Sequence, residues 1–372
     1  DFKLNTGIDA FSVGRTGNRT RLLKMNMMTG NPLPMPMEFV DEVWQDSQID
    51  DYGAFVEGKY PLSQKLLLNV GARYDMVRSR TDAPSDDFVA EYPNLDTRTE
   101  HNISTTASVK YMASSHLLFE LAYGRGVRSA NMIERFINHF TVGQDPYEYV
   151  GNPFLDAEVN NQFELGVKSN TDFEGYALNR LDFGASVYYS DYGNYIVAVI
   201  DPELDKKYMP MAEPTEVKRF TNLDSAYKTG FELFAELSFL EDFAFKTELA
   251  YVYAKNQDLN ESLPLTPPLV TRFNLDFERE KVWAKATYTL TSEQSDIAFS
   301  FGERVTDGYG VLDLRFGAKP FEHLTVGVAA SNVFDTTYNN HLNFSFVNQA
   351  DFGRVPINDP GRNLSAFIQY SF

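Results

Sequence analysis

The sequence predicts an all-β fold, a transmembrane antiparallel β-barrel, from three observations. Apolar and polar residues alternate with period two in one segment after another. Charged side chains fall, through the middle of each such segment, on the face opposite the apolar one. Connections alternate between short and long along the whole chain. A Lys or Arg facing lipid at the bilayer midplane costs roughly 2–4 kcal/mol, so an apolar outer band around a polar lumen accounts for the charge segregation. Tight turns at one rim and long loops at the other account for the alternating connections. A soluble sandwich has no reason to gather its long loops at one end.

Taken in order, the first strand is expected over residues 2–13, with Phe2, Leu4, Thr6, Ile8 and Ala10 on one face, and a long loop rich in Arg, Met, Pro and Asp follows over 14–47. A second strand over 50–58 sets Tyr52, Ala54 and Val56 against Gly53, Phe55 and Glu57. The third, over 65–78, alternates most clearly: Leu66, Leu68, Val70, Ala72, Tyr74 and Met76 against Asn69, Gly71, Arg73 and Asp75. After a polar loop over 79–97, strands through Ile103–Tyr111 and Leu117–Tyr123 are joined by a tight turn, and an irregular stretch covers 125–157. Strands through Phe163–Val167 and Leu181–Tyr189 come next, followed by a second long excursion over 191–220.

The remaining strands run through Phe231–Leu237, Phe243–Tyr251, Phe273–Phe277, Val282–Tyr288, Leu312–Phe316 and Leu324–Val328. A proline-rich loop, LPLTPPL, interrupts them after Tyr251. The terminal segment RNLSAFIQYSF places Leu364, Ala366, Ile368, Tyr370 and Phe372 on one face and Asn363, Ser365, Gln369 and Ser371 on the other. An aromatic carboxyl terminus on such a strand resembles that of a barrel's closing strand, and this strand is expected to be one. Fourteen strands result, with short connections near 59–64, 112–115, 169–179, 240–242, 278–281 and 319–323.

No composition break divides the 372 residues, so residues 1–372 are expected to form one domain. There is no cysteine, which excludes disulfides and thiol nucleophiles. No apolar run reaches the roughly eighteen residues of a membrane helix, and mean hydropathy is −0.34. A barrel with a polar lumen is compatible with both facts. The 30 Phe and 21 Tyr favour strands. A formal charge of −19 speaks against nucleic acid as a partner and suits either cation attraction or a solubilising surface. With Asp1 first and no signal peptide, the sequence is expected to be a mature or truncated form.

No Ser, His and Asp set has interpretable spacing, so no enzyme is expected. The lumen carboxylates Glu164, Glu232, Glu236 and Glu248 are expected to be matched by Arg73, Lys168, Lys246, Arg272 and Arg315. Of ten methionines, eight fall in the long connections: Met25, Met27, Met28, Met35, Met37, Met132, Met209 and Met211. Clustered thioethers are soft ligands suited to Cu(I), and they are equally able to pack against one another. His139 shares a long connection with Met132, and His341 lies in the last one, where a lone histidine is ordinarily solvated. The candidate metal-ligating set is these eight methionines with His139.

Several segments, in order, resemble those of TonB-dependent outer-membrane receptors. They are GARYD at 71–75, GNPFLDAEVNNQFELGVK at 151–168, NLDSAYKTGFEL at 222–233, LPLTPPLVTRFNLDF at 263–277, DGYGVLDLRFGAKP at 307–320, SNVFDTTYNNH at 331–341 and the terminal DPGRNLSAFIQYSF. GRGVRSANMIERF, NLDSAYKTGFEL and DPGRN are most similar to the copper-receptor branch, although no methionine and histidine pair matches residue for residue.

The resemblance implies a 22-stranded barrel in the outer membrane of a Gram-negative bacterium, filled by an N-terminal plug that the TonB energy-coupling complex pulls. This sequence holds neither plug nor TonB box, so the chain is expected to be the C-terminal part of that barrel. Its lipid partner would be the outer membrane, and the barrel-assembly machinery would recognise the terminal strand. The function implied is import of a scarce metal, copper first, captured by acidic Met-rich loops. Alternatives are a receptor for a ferric siderophore or other small nutrient, a passive 14-stranded channel, and a surface interaction module of an envelope complex. For the siderophore, Arg135, Phe136, Phe140, Tyr147 and Tyr149 are the candidate aromatic and cationic contacts.

Overall fold

The computed structural model describes residues 2–26, 29–142, 145–175, 177–208, 210, 213–343, 346–348 and 353–371. In chain order the elements are β1 (Lys3–Met25), β2 (Pro32–Pro61), β3 (Leu66–Ala83), α1 (Asp86–Glu91), β4 (Arg98–Ser114), β5 (Leu117–Arg128), α2 (Met132–Phe136) and β6 (Glu148–Val150). Next come β7 (Glu158–Asp172), β8 (Leu178–Asp201), β9 (Val217–Phe239), β10 (Phe243–Asn256), β11 (Glu261–Ser262), β12 (Val270–Arg279) and β13 (Val282–Thr291). The chain ends with β14 (Tyr309–Phe321), β15 (Leu324–Ser331), β16 (Phe346–Asn348), β17 (Gly353–Val355) and β18 (Asn363–Tyr370).

Fourteen of these strands pair in sequence as one antiparallel sheet, β1-β2-β3-β4-β5-β7-β8-β9-β10-β12-β13-β14-β15-β18. Every expected strand is present. Period-two patterning fixes register firmly here, because a one-residue slip would turn the whole apolar set into the lumen. Among the described residues β1 and β18 are edges and do not pair with each other. Short turns at 62–65, 115–116, 173–177, 240–242, 280–281 and 322–323 gather at one rim, and the loops at 84–97, 129–157, 202–216, 257–269, 292–308 and 332–362 gather at the other.

The outward residues form an apolar surface, with Ile8 at 87% and Ile368 at 78% exposure. Such a continuous patch is out of place on a water-soluble monomer and fits lipid. Two aromatic tiers bound it. Near the turns, Phe243 stands between Phe239 at 5.5 Å and Phe277 at 4.9 Å. Near the loops, Tyr227 stands between Tyr189 at 5.9 Å and Tyr253 at 6.0 Å. Tyr227 and Phe239 are twelve residues apart on β9, about 40 Å along a strand and about 30 Å in height at a barrel's usual tilt. That height matches a hydrocarbon core with its interfacial girdles.

The expected loop boundaries need correction. β1 and β2 continue as a paired ribbon to Met25 and Pro32, so most of 14–47 is strand. β2 meets β3 only from Asp46 onward, leaving 32–45 paired with β1 and, at Trp44, with Ile137 through an isolated bridge. Pro32, Pro34 and Pro36, two residues apart, put their missing N–H groups on one edge, which a strand with a single neighbour tolerates. Likewise β8 and β9 stay paired through 191–201 and 217–227, so 191–201 and 217–220 of the expected excursion are strand. The loop over 79–97 holds the end of β3 and α1, and the stretch over 125–157 holds the end of β5, α2 and β6.

The densest core lies among the loops. Phe88, Met132, Phe136, Val150 and Val217 pack with Ile49 and Val77 from the barrel wall, and Ile137, Tyr147, Tyr149, Ala298 and Phe301 form a second cluster. β6 adds to the outer end of β9 as a parallel strand, through Glu148↔Val217 and Val150↔Arg219. The loops therefore form a folded cap on the barrel.

The lumen charges pair less completely than the sequence suggested. Glu248 meets Lys246 at 2.8 Å, whereas Arg73 binds Asp9 at 2.8 Å and also Asp75. Among the described residues Glu164, Glu232, Glu236, Lys168, Arg272 and Arg315 form no ion pair within 4.0 Å. Glu164, Lys168, Glu232 and Arg272 line an open concavity of about 640 Å³.

Candidate functional site

The site is built where the 129–157 loop crosses the root of the β1–β2 ribbon. Asn131 caps α2, accepting from the N–H groups of Ile133 and Glu134, while Glu134 returns a bond to the Asn131 N–H. This capping box starts a helix of only five residues. The chain leaves α2 extended: the Asn138 N–H donates to the Val43 carbonyl at 2.9 Å, and Phe140 and Tyr149 exchange backbone bonds at 3.3 and 3.0 Å. Strapped between β2 and β6, His139 adopts a left-handed φ of 47°, an uncommon state for a residue with a side chain.

The His139 ring is oriented by a carboxylate. Its Nδ1 lies 3.1 Å from Oε2 of Glu148, which is fully buried. An ionised carboxylate only accepts hydrogen bonds, so Nδ1 is the donor in this contact and Nε2 is the nitrogen that a neutral ring would offer to a cation. Glu148 also accepts the Lys207 N–H at 2.9 Å and the Tyr208 N–H at 2.5 Å. One side chain thus fixes both the histidine and the start of the segment that leads to Met209 and Met211.

The ribbon closes the other side. The Arg19 Nη1 donates to the His139 carbonyl at 3.1 Å, and Arg21 holds Asp41 through bonds of 2.7 and 2.9 Å. Both guanidiniums lie over the Tyr208 ring, at 4.6 Å for Arg19 and 5.8 Å for Arg21. The Arg21 guanidinium holds the Asp41 carboxyl below its ordinary value, against a smaller opposing effect of burial. Between these parts lies a polar chamber of about 450 Å³, lined by Asp41, Glu42, Asp86, Asp87 and His139 with Arg19 and Lys207. Lys207 is paired with Asp87, and Asn138 donates to the same carboxylate at 3.0 Å. The chamber offers one imidazole lone pair among carboxylates, a setting that suits a cation.

The sequence-derived metal residues fall in three places. Met37 stands across from Leu23, Phe39 from Arg21 and Asp41 from Arg19, so Met37 shares the ribbon face that turns toward the chamber, and Met35 follows on it. Met25, Met35 and Met37 are all more than half exposed. Met37 is four residues and Met35 six residues from Asp41, about 13 and 20 Å along the strand, too far to share one coordination shell with His139. Met132 is buried against Ile49, Val77 and Phe88, away from the chamber, and is a packing residue. Met27, Met28, Met209 and Met211 lie outside the described residues, as does Phe372.

Sequence reasoning missed Glu148, Asp41, Arg19 and Tyr208. The signal available was Glu148 itself, a carboxylate inside the run Tyr147-Glu148-Tyr149-Val150, where a charge needs a partner. The aromatic and cationic residues considered for a siderophore are largely committed elsewhere. Arg135 is fully buried and donates to Glu100 at 2.7 Å and the Pro153 carbonyl at 2.8 Å. Phe136, Tyr147 and Tyr149 are buried in the cap.

An open sheet of amphipathic strands with a lipid face, tight turns at one rim and a folded loop cap at the other defines a large outer-membrane-type receptor barrel. The chain belongs to the TonB-dependent receptor-like β-barrel family, whose model matches residues 2–333. No curated protein matches it. Among solved structures, the copper transporter OprC superposes with a TM-score of 0.79 at 22% identity, over 100% of this chain and 54% of that one. The FrpB iron transporter of Neisseria meningitidis gives 0.64 at 15% identity, over 88% and 46%. A mutant of the ferric enterobactin receptor PfeA of Pseudomonas aeruginosa gives 0.60 at 16%, over 99% and 62%. The chain therefore spans about half to three-fifths of the length of these proteins, and at such identities the likeness concerns the fold.

Proposed function

We propose that this chain is the barrel portion of a TonB-dependent receptor in the outer membrane of a Gram-negative bacterium, and that the receptor imports a scarce metal, copper first. The observation that carries the reading is the convergence on one chamber of the Glu148-oriented His139, the root of the Met209 and Met211 segment, and the ribbon face bearing Met35 and Met37. In this account the exposed thioethers meet a soft cation first and the chamber receives it below, with acidic side chains raising the local cation concentration. Opening of the path would come from TonB acting on a plug, not from chemistry on the cargo.

The likeness to OprC supports this reading without deciding it, since iron receptors share the fold. An anionic siderophore chelate is less well served: Arg21 and Arg19 are both tied to Asp41, and Arg135 is sealed in the core. A passive 14-stranded channel would require β1 to pair with β18, and the sheet order holds no such pair among the described residues. The test is uptake of radiolabelled copper by copper-starved cells with and without the gene. Loss of energy-dependent uptake in the deletion supports the proposal; identical uptake, with loss of ferric-chelate growth instead, replaces copper with the siderophore.

A further inference from the structure

A second cavity lies among the 129–157, 257–269, 292–308 and 332–362 loops. It has a volume of about 250 Å³. His341, expected to be solvated, is 7% exposed there, and among the described residues its buried Nε2 has no hydrogen-bond partner. Its Nδ1 lies 3.1 Å from the Thr306 hydroxyl, and Thr306 is itself fixed by backbone bonds to Gln294 at 2.9 and 3.2 Å. The Glu303 Oε1 is 3.7 Å from His341 Nε2, too far for a hydrogen bond, and both side chains are less than a tenth exposed.

Glu303 has no other cation of its own among the described residues. Its carboxylate accepts the N–H groups of Leu265 at 2.5 Å and Ala298 at 2.9 Å. Lys218, the buried cation nearby, is committed to Asp145 and to the faces of Tyr147 at 4.3 Å and Phe301 at 3.4 Å. A buried imidazole nitrogen without a hydrogen-bond partner among the described residues, 3.7 Å from a buried carboxylate whose nearest buried cation is held elsewhere, is an arrangement that a bound cation relieves.

We propose that His341 Nε2 and Glu303 Oε1 bind a borderline divalent transition-metal ion, of the Zn²⁺ or Co²⁺ class, between the 292–308 and 332–362 loops. Bond lengths of about 2.0–2.2 Å to nitrogen and oxygen place the two donor atoms about 3.4 Å apart at a tetrahedral angle, and slightly wider opening gives the observed spacing. Thr306 supplies the partner on Nδ1 that leaves the lone pair on Nε2. Among the described residues no three His, Asp or Glu side chains converge, so water or the amide oxygens of Asn339 and Asn343, which line the same cavity, complete the shell. The site is weak and exchangeable. Its nitrogen and oxygen donors also separate it from the thioether face, so it does not rest on the copper reading.

The experiment is a Co²⁺ titration of the protein produced from its whole gene, followed by visible absorption. A Co²⁺ equivalent should bind with ligand-field bands, weakened at least tenfold in both His341→Gln and Glu303→Gln and unchanged in His116→Gln, an exposed turn residue at the opposite rim. Zn²⁺ should raise the Tm of the wild type but not of His341→Gln, with native migration on unboiled gels confirming that each variant is folded. Glu303→Gln keeps the acceptor atom that Leu265 or Ala298 requires, so it serves if His341→Gln misfolds. Absence of Co²⁺ bands, their survival in either loop variant, or their loss in His116→Gln would overturn the proposal. Cu(I) binding in the same samples reports separately on the thioether reading.

Discussion

Glu148 and His139 meet at 3.1 Å beneath the chamber, and the same carboxylate receives the backbone N–H groups of Lys207 and Tyr208. The carboxylate therefore couples the orientation of the one chamber imidazole to the position of the loop above it. Outer partners of this kind ordinarily change metal affinity by about 10–100-fold.

Glu148→Gln is predicted to weaken Cu(I) binding within that range, since the amide replaces a charge-assisted acceptor with a neutral one. Glu148→Ala removes the acceptor of the part-buried Lys207 and Tyr208 N–H groups and of the imidazole, at about 0.5–1.5 kcal/mol each. Hydrogen exchange across 202–208 should accelerate in Glu148→Ala and much less in Glu148→Gln. Equal exchange in wild type and Glu148→Ala would show that the loop is held by something else.

The ribbon should respond to acid. Asp41 is depressed below its ordinary value, chiefly by the Arg21 hydrogen bond. A carboxylate with a lowered folded pKa contributes stability that is complete above its ordinary value of 3.8 and disappears as pH falls through the lowered one. Limited proteolysis of the β1–β2 ribbon should thus be flat between pH 8 and 5 and rise only under strong acid. Asp41→Asn should abolish that acid step, and a step near neutrality would assign it to another group.

Arg135 anchors the cap. It is fully buried and joins Glu100, the Ala130 carbonyl and the Pro153 carbonyl. Removing one member of a buried pair costs about 3–5 kcal/mol, so Arg135→Ala should expose the 129–157 loop to protease while the lipid-facing strands stay resistant. Wild-type resistance in that variant would show the pair to be dispensable.

Gly151 permits the closest approach in the cap. A Cβ there would stand 2.6 Å from the Arg135 carbonyl carbon and 2.7 Å from the Phe136 nitrogen. Both are backbone atoms and cannot rotate away, so Gly151→Ala should cost about 1–3 kcal/mol, the usual penalty of overpacking. Faster exchange of the Gly151 N–H, now bonded to the Ile137 carbonyl at 2.7 Å, is the measurement; unchanged exchange would contradict the contact.

How much was legible in the sequence depended on what surrounds each residue. Leu66, Leu68 and Val70 announce their strand because lipid on one face and lumen on the other enforce a strict period of two. Above the bilayer that constraint lapses: Met35, Pro36 and Met37 belong to β2 yet alternate nothing, and only the pairing with β1 shows them to be strand. His139 was visible as a candidate ligand, but its partner Glu148 is nine residues on, and what unites them is a loop that folds back along β9. The ion pairing expected of Glu164 and Glu232 failed because composition counts charges without giving distances.

Metal analysis of the protein produced from its whole gene in copper-supplied cells tests the central claim most directly. The account predicts copper in the wild type, marked loss when Met25, Met27, Met28, Met35 and Met37 are replaced by leucine, and loss in His139→Gln despite a folded barrel. Copper-free wild-type protein, or copper retained at full occupancy in both variants, would contradict it.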